Sequence, residues 1–594
     1  MVSRRDREIP PFLPTTAREV RARGWGALDV ILVTGDSYID SPHMGVAVIG
    51  KVLAQAGFRV GVIAQPDLDS DRDILRLGRP RLFWGLTAGS VDSMVANYTA
   101  LGKKRRRDDF TPGGRNTRRP DRAVIVYANL IRRWAGGKVP IVLGGLEASL
   151  RRISHYDAWD DGIRRSILFD ARADVLVYGM GEKTVQALAR AMARGEDFSA
   201  LPGICVIASQ PRPGYRLLPG HDRVAADPMA FTEMFHEFYR QNDPGTAVGL
   251  CQRQDTRWLI QNPPAPVPTA DELDAVYELP YAHAQHPFYE AWGSVRALDT
   301  IRFALATHRG CYGECHFCAI TVHQGRTVTS RSEASLLREA RRLTGHPLFK
   351  GIISDVGGPT ANMYGYECRR KMEKGACRHQ RCIHPRVCRQ LPVNHAPLVR
   401  MLAKLRRVPG IRKIFVASGL RPDLVLADRP FGQHYLEALV RHHVSGQLKI
   451  APEHSEPHVL ARMGKPPVES CLRFRERFYR ATRAAGLDQF LTYYLMAAFP
   501  GCTLADMQHL RRFTRTQLHA APQQIQIFTP TPSTYGALMY HTGRDPFDGS
   551  PLWVEKNRTQ KQRQKDTVRP PSPHSRTPGR KACNAKGARR PRKP

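Results

Sequence analysis

Residues 308–318 read His-Arg-Gly-Cys-Tyr-Gly-Glu-Cys-His-Phe-Cys and place Cys311, Cys315 and Cys318 in one loop with the spacing C-x3-C-x2-C. Cysteine thiolates are ligands of iron–sulfur clusters and of zinc, and this short spacing lets three sulfurs converge on one face of a cubane cluster. Three ligands leave one iron open, whereas a structural zinc site is normally closed by a fourth ligand. The alternative is a zinc loop in which His308 or His316 is that fourth ligand.

The loop follows the first of six apolar segments that are predicted to be strands, each ending in a turn marked by glycine or proline. Segments with helical periodicity separate them, for example 332–343, 397–406 and 471–485. The six predicted strands are 301–307, 351–355, 411–417, 447–450, 490–496 and 524–528. Six βα units predict a complete or partial barrel whose chemistry lies at the carboxyl ends of its strands.

The N-terminal part of the chain also alternates strands and helices. Its predicted strands are apolar on both faces, which is typical of a parallel sheet covered by helices on both sides. They are 29–34, 59–64, 82–86, 123–127, 140–144 and 175–178, with a helix predicted at 46–56. We therefore expect an α/β protein with a doubly wound N-terminal domain over 1–290 and a partial (βα)6 barrel over 291–555.

Composition limits the class of protein. The 594 residues are 42% hydrophobic, with no secretory signal and no apolar run long enough to span a membrane. Seven of the twelve cysteines fall between Cys311 and Cys388, and in a reducing compartment such clustering favours metal binding or catalysis over disulfides. We expect a globular, cytoplasmic protein that does not contact the membrane.

The motif resembles the signature of the radical S-adenosylmethionine (SAM) superfamily, including the aromatic Phe317 before its last cysteine. In that superfamily the three cysteines hold a [4Fe–4S] cluster whose open iron binds SAM. An electron from a donor of the flavodoxin or ferredoxin class then cleaves SAM to a 5′-deoxyadenosyl radical that acts on a substrate. The resemblance implies that this chain binds both cofactors.

Three further segments resemble SAM-binding regions of that superfamily, each after a predicted strand. Residues 357–360 (GGPT) resemble the glycine pair whose backbone receives the SAM amino group, although the acidic residue that often follows is absent. Strand-end turns are the alternative, because Gly, Pro and Ser are common turn residues. The residues that the resemblance implies for SAM binding are Gly357, Gly358, Pro359, Ser418, Arg421 and Glu453.

A closer resemblance covers about residues 29–554. Segments 148–159 (ASLRRISHYDAW), 355–362 (DVGGPTAN) and 528–533 (FTPTPS) resemble the YgiQ, or UPF0313, family of radical SAM proteins. This resemblance implies the type of protein but no particular substrate or reaction.

The N-terminal domain resembles the cobalamin-binding-like domains that precede some radical SAM barrels. Its glycine pairs at 144–145 and 179–181 fit a close backbone approach to a ligand. The chain has no Asp-x-His-x-x-Gly, since Asp40-Ser-Pro-His43 has the wrong spacing. Cobalamin held by a histidine is therefore not expected, while binding without such a ligand stays open.

An insert over 361–396 is rich in cysteine and poor in apolar residues. Four thiols in a segment that cannot pack alone predict a small metal-stabilised module, with zinc and an auxiliary iron–sulfur cluster as alternatives. Free surface thiols are the third alternative. The four residues are Cys368, Cys377, Cys382 and Cys388.

The net charge of +36 favours polyanions such as nucleic acid as partners. From Lys556 to Pro594, fourteen basic residues face one acid, and we expect this tail to be disordered. A basic and aromatic stretch over 151–165 is either a second nucleic-acid surface or a packed helix.

Three functions compete on this basis. The leading one is a radical SAM enzyme of unknown substrate. The second is a nucleic-acid-binding protein with structural zinc. The third is an RNA-modifying radical SAM enzyme of the tRNA-methylthiolating kind, which is disfavoured because no second set of three cysteines precedes the barrel.

Overall fold

The computed structural model describes residues 11–569. A nine-stranded sheet forms the N-terminal half. Its five parallel strands lie in the order Val60–Ala64, Val30–Thr34, Phe83–Thr87, Ile141–Leu143 and Val175–Val177. Four strands extend the sheet beyond them: Ile204–Ala208, Arg257–Gln261, Leu250–Gln254 and Arg216–Leu218. The predicted parallel sheet is confirmed, and the hairpin-like extension is an addition to it.

Side chains of the parallel strands alternate between two apolar cores. Val30 and Leu32 pack in the core that contains the helix Gly45–Gln55. Ile31 packs on the opposite face, in the core that contains the helix Ala123–Trp134. Because both faces are covered by helices, the domain is doubly wound.

Residues 123–127 are predicted to be a strand, and this prediction is wrong, since they begin the helix Ala123–Trp134. The run Ala-Val-Ile-Val-Tyr is apolar and β-branched, so a short window favours a strand. Over the whole segment Val124, Tyr127, Ala128 and Ile131 recur at helical spacing and are buried. Burial of that face outweighs the low helix propensity of the β-branched residues.

The C-terminal half contributes six parallel strands that neighbour one another in chain order. Regular ladders join them except between the third and fourth, which meet at one bridge between Leu420 and Ile450. Among residues 11–569 no ladder joins the sixth strand to the first, so the βα units are present but the barrel is open. The strands are Ala304–Ala306, Ile352–Ile353 with Asp355–Gly357, Lys413–Ile414, Gln447–Glu453, Phe490–Ala497 and Ile525–Ile527.

The beginning of the basic tail is not disordered, contrary to the prediction. Arg558–Val568 is a helix, capped by the side chain of Asn557, and it packs on the last barrel strands and on the helix Leu504–Thr516. Its buried residues Lys561, Gln564 and Val568 lie on one face. Two of the three are polar, so a search for an apolar face does not detect it. The rest of the tail, 570–594, lies outside the described residues.

The two halves share one continuous core, in which Leu176 of the sheet and Phe499 of the barrel belong to the same cluster. No helix in the described part of the chain has the length and apolar character needed to cross a membrane. The N-terminal helices are Ala17–Ala22, Gly45–Gln55, Ser93–Asn97, Ala123–Trp134, Gly145–Leu150, Ile167–Asp170, Glu182–Arg194, His221–Ala226, Pro228–Arg240, Ala270–Tyr277 and Pro287–Glu290. The later helices are Leu298–Ile301, Ile320–Gln324, Glu333–Thr344, Arg369–Lys374, Ala396–Leu405, Pro422–Ala427, Gly432–His442, Pro457–Met463, Glu469–Ala484, Leu504–Thr516, Tyr535–Thr542 and Arg558–Val568.

Candidate functional site

The three-cysteine loop lies between the first barrel strand, Ala304–Ala306, and the helix Ile320–Gln324. The chain enters the loop through Gly310, whose φ of +85° favours glycine. A Cβ at this position would lie 2.0 Å from the carbonyl oxygen of Thr327. The local backbone therefore requires glycine immediately before the first cysteine.

The thiols of the loop influence one another. Burial and then the neighbouring Cys315 raise the pKa of Cys318 to about 12, and the same two causes raise the pKa of Cys311. The backbone N–H of Gly313 lies 3.3 Å from Cys311 Sγ, and Arg421 Nη1 lies 3.8 Å from Cys315 Sγ. The loop thus brings the three sulfurs together beside N–H groups that stabilise thiolate charge.

The three sulfurs of the motif do not all lie within 4.8 Å of one another in the described chain. Thiolates on one tetrahedral zinc stand about 3.8 Å apart, because each Zn–S bond is about 2.3 Å. Among residues 11–569, one group of three or more His, Cys, Asp or Glu side chains has its ligand atoms within 4.8 Å of one another. This group consists of Glu456, His458 and Asp506, which are far from the motif in sequence. Thiolates that each bind a different iron of a cluster stand farther apart, so the loop fits a cluster better than zinc.

Of the two histidines of the zinc alternative, His316 is already engaged by the protein. Its ring contacts the Arg462 carbonyl oxygen at 2.6 Å through Nδ1, and its Nε2 contacts the guanidinium of Arg381. The Nδ1 of His308 lies 2.8 Å from Thr307 Oγ1, while its Nε2 has no hydrogen-bond partner in the described chain. The rings therefore exclude His316, but not His308, as a fourth ligand.

Two adjacent glycines line the space beside the loop. A Cβ on Gly357 would lie 3.1 Å from Ser418 Oγ, and a Cβ on Gly358 would lie 2.6 Å from the imidazole of His308. Thr360, two residues on, places its Oγ1 3.7 Å from Cys311 Sγ. The segment after the second barrel strand therefore runs directly against the cysteine loop, with no room for side chains at its two glycines.

Asp355 positions the third-strand segment. Its carboxylate accepts hydrogen bonds from the backbone N–H groups of Ala417 at 2.8 Å and Ser418 at 3.1 Å, and from the Ser418 hydroxyl. These bonds hold Ser418 opposite Gly357, so the second and third strand ends form one wall.

Arg421 and Glu453 reach the same region from the third and fourth strands. Arg421 donates two hydrogen bonds to Asp423, at 2.9 and 2.7 Å, which leaves Nη1 directed toward Cys315. Burial raises the pKa of Glu453, although Lys465 at 3.7 Å opposes this. Gly357, Gly358, Pro359 and Ser418 line the cavity beside the cysteine loop, whereas Arg421 and Glu453 lie near the thiols of the loop and do not line that cavity.

A cavity of about 560 Å³ lies between this wall and the carboxyl edge of the N-terminal sheet. Gly357, Gly358, Pro359 and Ser418 line its barrel side together with His308. Loops and strand ends of the sheet line the opposite side. A volume of this size is typical of a small-molecule site.

The insert packs on the cysteine loop. Cys368, Cys382 and Cys388 contact the small apolar cluster that contains Tyr312. Each of three insert thiols lies near a donor: Cys377 Sγ is 2.6 Å from Arg370 Nη1, Cys382 Sγ is 3.7 Å from Lys371 Nζ, and Cys388 Sγ is 3.3 Å from Gln380 Nε2. No three of the four sulfurs lie within 4.8 Å of one another in the described chain, so a second metal site here stays a prediction.

The beginning of the basic and aromatic stretch is packed in the interior, while Arg164 and Arg165 are partly exposed and pair with Asp170. The stretch contains the strands His155–Asp157 and Gly162–Arg164 and is not the packed helix of the alternative. Arg152 is fully buried and stacks on Tyr178 and Phe238, at 4.4 and 4.5 Å from the ring centres. Arg151 is buried in an ion pair with Asp92. Charge and aromatic content alone do not distinguish a buried cation from an exposed one, and only packing decides it.

Asp355 and Thr360 adjoin the site although no sequence pattern marks them as ligand-binding residues, and the sequence predicts His308 there only as an alternative zinc ligand. All three end or follow a predicted barrel strand, and this position is the signal that could have identified them. Their roles depend on contacts between strands, which spacing along one segment does not reveal.

Comparison with known proteins places these features in a family. Residues 12–304 match the family model described as Radical SAM N-terminal. A UPF0313 protein of Fusobacterium nucleatum is 52% identical over 94% of this chain and 98% of its own length. UPF0313 proteins of Thermotoga maritima and Methanosarcina acetivorans are 47% and 44% identical, over 94% and 95% of this chain and 98% and 79% of their own lengths.

Among solved structures, the radical S-adenosylmethionine methyltransferase TsrM from Kitasatospora setae, with cobalamin and a [4Fe-4S] cluster bound, aligns with a TM-score of 0.49. It is 15% identical, and the alignment covers 85% of this chain and 74% of TsrM. The cobalamin-dependent S-adenosylmethionine radical enzyme OxsB aligns with a TM-score of 0.48 at 13% identity, over 88% of this chain and 56% of OxsB.

Proposed function

Since the chain belongs to the UPF0313 family and carries the radical SAM N-terminal region, it is an enzyme of the radical SAM class, and we propose that Cys311, Cys315 and Cys318 hold its [4Fe–4S] cluster. The observation that carries this assignment is the position of three mutually interacting thiols in one loop at the carboxyl end of the first barrel strand. An open coordination position is what a cluster that binds a cofactor needs.

A [4Fe–4S] cluster held by Cys311, Cys315 and Cys318 would supply the electron for reductive cleavage of SAM, and the electron donor would first deliver that electron to the cluster. The protein binds and orients the reactants and excludes water. Arg421 Nη1 beside Cys315 offsets negative charge on the sulfurs. The buried wall of Gly357 and Ser418 brings backbone close to the cofactor without filling its space.

The SAM site is proposed to comprise Gly357, Gly358, Pro359, Ser418, Arg421 and Glu453. Support comes from the position of Gly357, Gly358, Pro359 and Ser418 on one wall of the cavity, from the approach of Arg421 and Glu453 to the thiols of the cysteine loop, and from the absence of side-chain space at the two glycines. In this arrangement Ser418 and the backbone at Gly358 bind the amino acid part of SAM, while Arg421 lies nearest the cluster.

Two partners belong to this proposal. A donor of the flavodoxin or ferredoxin class supplies the electron, and the basic tail adds affinity for nucleic acid. The nucleic-acid-binding protein with structural zinc is the alternative, and it is not favoured because the motif sulfurs do not surround one ion.

The test is anaerobic reconstitution with iron and sulfide, followed by chromatography for 5′-deoxyadenosine after reduction with dithionite. Changing Cys311, Cys315 and Cys318 to Ala is expected to abolish the main cluster absorbance and 5′-deoxyadenosine formation. The matched control changes the buried Cys205, Cys251 and Cys471 to Ala, which removes three thiols outside the site. Continued SAM cleavage by the motif variant would refute the assignment.

A further inference from the structure

The cavity extends well beyond the wall proposed for SAM. Its other side is the carboxyl edge of the N-terminal sheet, where Val30–Thr34 and Phe83–Thr87 are neighbours. The strand order reverses direction between these two strands, and ligands of doubly wound sheets bind in the crevice at such a point. Asp36 and Ser90, from the loops after the two strands, line this crevice.

An apolar slot leads from the crevice between the helices and the sheet. We define it by six residues that line the cavity: Leu32, Val46, Ile49, Val142, Val177 and Val185. They come from three strands and from the helices Gly45–Gln55 and Glu182–Arg194. An apolar slot of this kind favours a ligand with an apolar end, because each buried CH₂ group contributes roughly 0.8 kcal/mol.

Carboxylates outnumber cations around the cavity, because Arg119 faces two acids and the lining residue Asp355 forms no ion pair in the described chain. Asp36 lies 2.7 Å from the buried Arg119, which also pairs with Asp108 at 3.0 Å. Arg309 is the one Lys or Arg among the described lining residues, and it forms an ion pair with Glu182. A polyanion needs unpaired cations along its path, so these walls do not suit RNA.

His308 offers a single ring nitrogen between the slot and the SAM wall. The hydroxyl of Thr307 lies 3.1 Å from the Gly357 carbonyl oxygen and 2.8 Å from His308 Nδ1, so Nδ1 is hydrogen-bonded within the protein. Nε2 is buried with no hydrogen-bond partner in the described chain. Burial lowers the pKa of His308 to about 4, and a hydrogen bond to the Thr360 backbone opposes this more weakly.

A buried ring nitrogen without a partner indicates that a ligand completes the hydrogen bond. Because His308 lines the barrel side of the cavity, a polar group of a ligand in the cavity is the partner that can meet Nε2.

We propose that the substrate of this enzyme is a small molecule without negative charge whose apolar end binds in the slot and whose polar group forms a hydrogen bond with His308 Nε2. This inference rests on the proposed function for the position of SAM on the opposite wall. It narrows the substrate class, since a polynucleotide does not match this cavity.

The test uses the reconstituted full chain and two probes of similar size in equilibrium dialysis. Prodan is an uncharged naphthalene fluorophore, and anilinonaphthalene sulfonate is an anionic one. Ile49→Trp fills the slot, while Gln55→Trp adds the same side chain at an exposed position of the same helix. Met180→Trp fills the cavity from a different loop, in case the first variant does not fold.

Wild-type protein is expected to bind prodan, and either slot-filling variant is expected to bind it about tenfold more weakly, which corresponds to about 1.4 kcal/mol. Gln55→Trp is expected to match wild type, and SAM affinity is expected to be unchanged in all variants. Sulfonate binding is expected to be insensitive to Ile49→Trp.

Equal prodan binding by wild type and both filled variants would overturn the proposal, as would loss of the sulfonate probe in parallel with prodan. Displacement of prodan by an RNA oligonucleotide would also overturn it. If the filled variants lose SAM while Gln55→Trp keeps it, the slot belongs to SAM and the inference fails. If no variant and no wild-type protein binds SAM, the proposed function fails, while the prodan comparison still decides the slot.

Discussion

At the scale of single residues, the site depends on how closely two strand ends approach. Gly358 faces the His308 ring, so a side chain there must displace either that ring or the ligand beside it. Gly419, one strand farther, has no atom within 4 Å of its added Cβ. Replacing Gly358 therefore tests the contact with the site, and replacing Gly419 shows what the loss of a glycine does without that contact.

Gly358→Val is expected to retain the cluster but to bind SAM at least about tenfold more weakly, because the added groups overlap the buried ring and the cavity. Gly419→Val serves as the control and is expected to bind SAM as wild type does. Equilibrium dialysis measures affinity, and iron content reports the cluster. Equal affinity for both variants would contradict the proposed role of Gly358.

At the scale of elements, the insert and the last helix are two segments whose polar side chains carry structure. In the insert, Lys371 is buried against Tyr312, and its Nζ lies near Cys382. In the last helix, Gln564 accepts a hydrogen bond from the Ala498 N–H at 2.9 Å and donates one to the Cys502 carbonyl oxygen at 3.3 Å. Both segments hold their positions through polar contacts more than through apolar burial.

The insert is predicted to bind a second metal through Cys368, Cys377, Cys382 and Cys388, because N–H donors near three of the thiols favour metal-bound thiolate. Elemental analysis of the protein with the three motif cysteines changed to Ala isolates this site. About one zinc, or iron in cluster amounts, is expected per chain. The same protein with the four insert cysteines also changed to Ala is the control, and equal metal content in the two would contradict the prediction.

The helix Arg558–Val568 is expected to stabilise the barrel. Gln564→Ala leaves two buried backbone groups without partners, and we expect a loss of about 2 kcal/mol in the free energy of unfolding. Arg563→Ala, at an exposed position of the same helix, is expected to change stability little. Urea denaturation measures both, and equal midpoints would show that the helix adds nothing. A chain truncated after Glu555 would lose this helix together with the rest of the tail. Such a truncation therefore cannot measure the effect of the basic tail alone.

At the scale of the whole molecule, the cavity exists because two halves share one core. Slot residues such as Ile49 come from the N-terminal domain, while His308 and Gly357 come from the barrel. The C-terminal residues beyond Arg569 contribute no described part of this cavity. The contribution of the basic tail to nucleic-acid binding is therefore expected to be independent of SAM cleavage in this protein.

A chain ending at Arg569 is expected to cleave SAM at the wild-type rate but to bind RNA more weakly at low salt, because basic residues in the removed segment release counterions from phosphates. Filter binding between low and physiological salt measures the affinity, and 5′-deoxyadenosine formation measures cleavage. Loss of SAM cleavage by the shortened chain would refute the independence of cleavage from the tail. Identical RNA affinity of the two chains at every salt concentration would refute the contribution of the tail to RNA binding.

The sequence by itself determined the cysteine motif, the alternation of strands and helices, and the glycines at strand ends, because these features depend on spacing within short segments. The helix at 123–134 was not predicted from the sequence, because a β-branched run resembles a strand until its burial is known. Only the tertiary structure decided that Arg152 is buried and that His308 faces a cavity with an unpaired nitrogen. These properties arise from contacts between residues far apart in the chain, and no local pattern encodes such contacts.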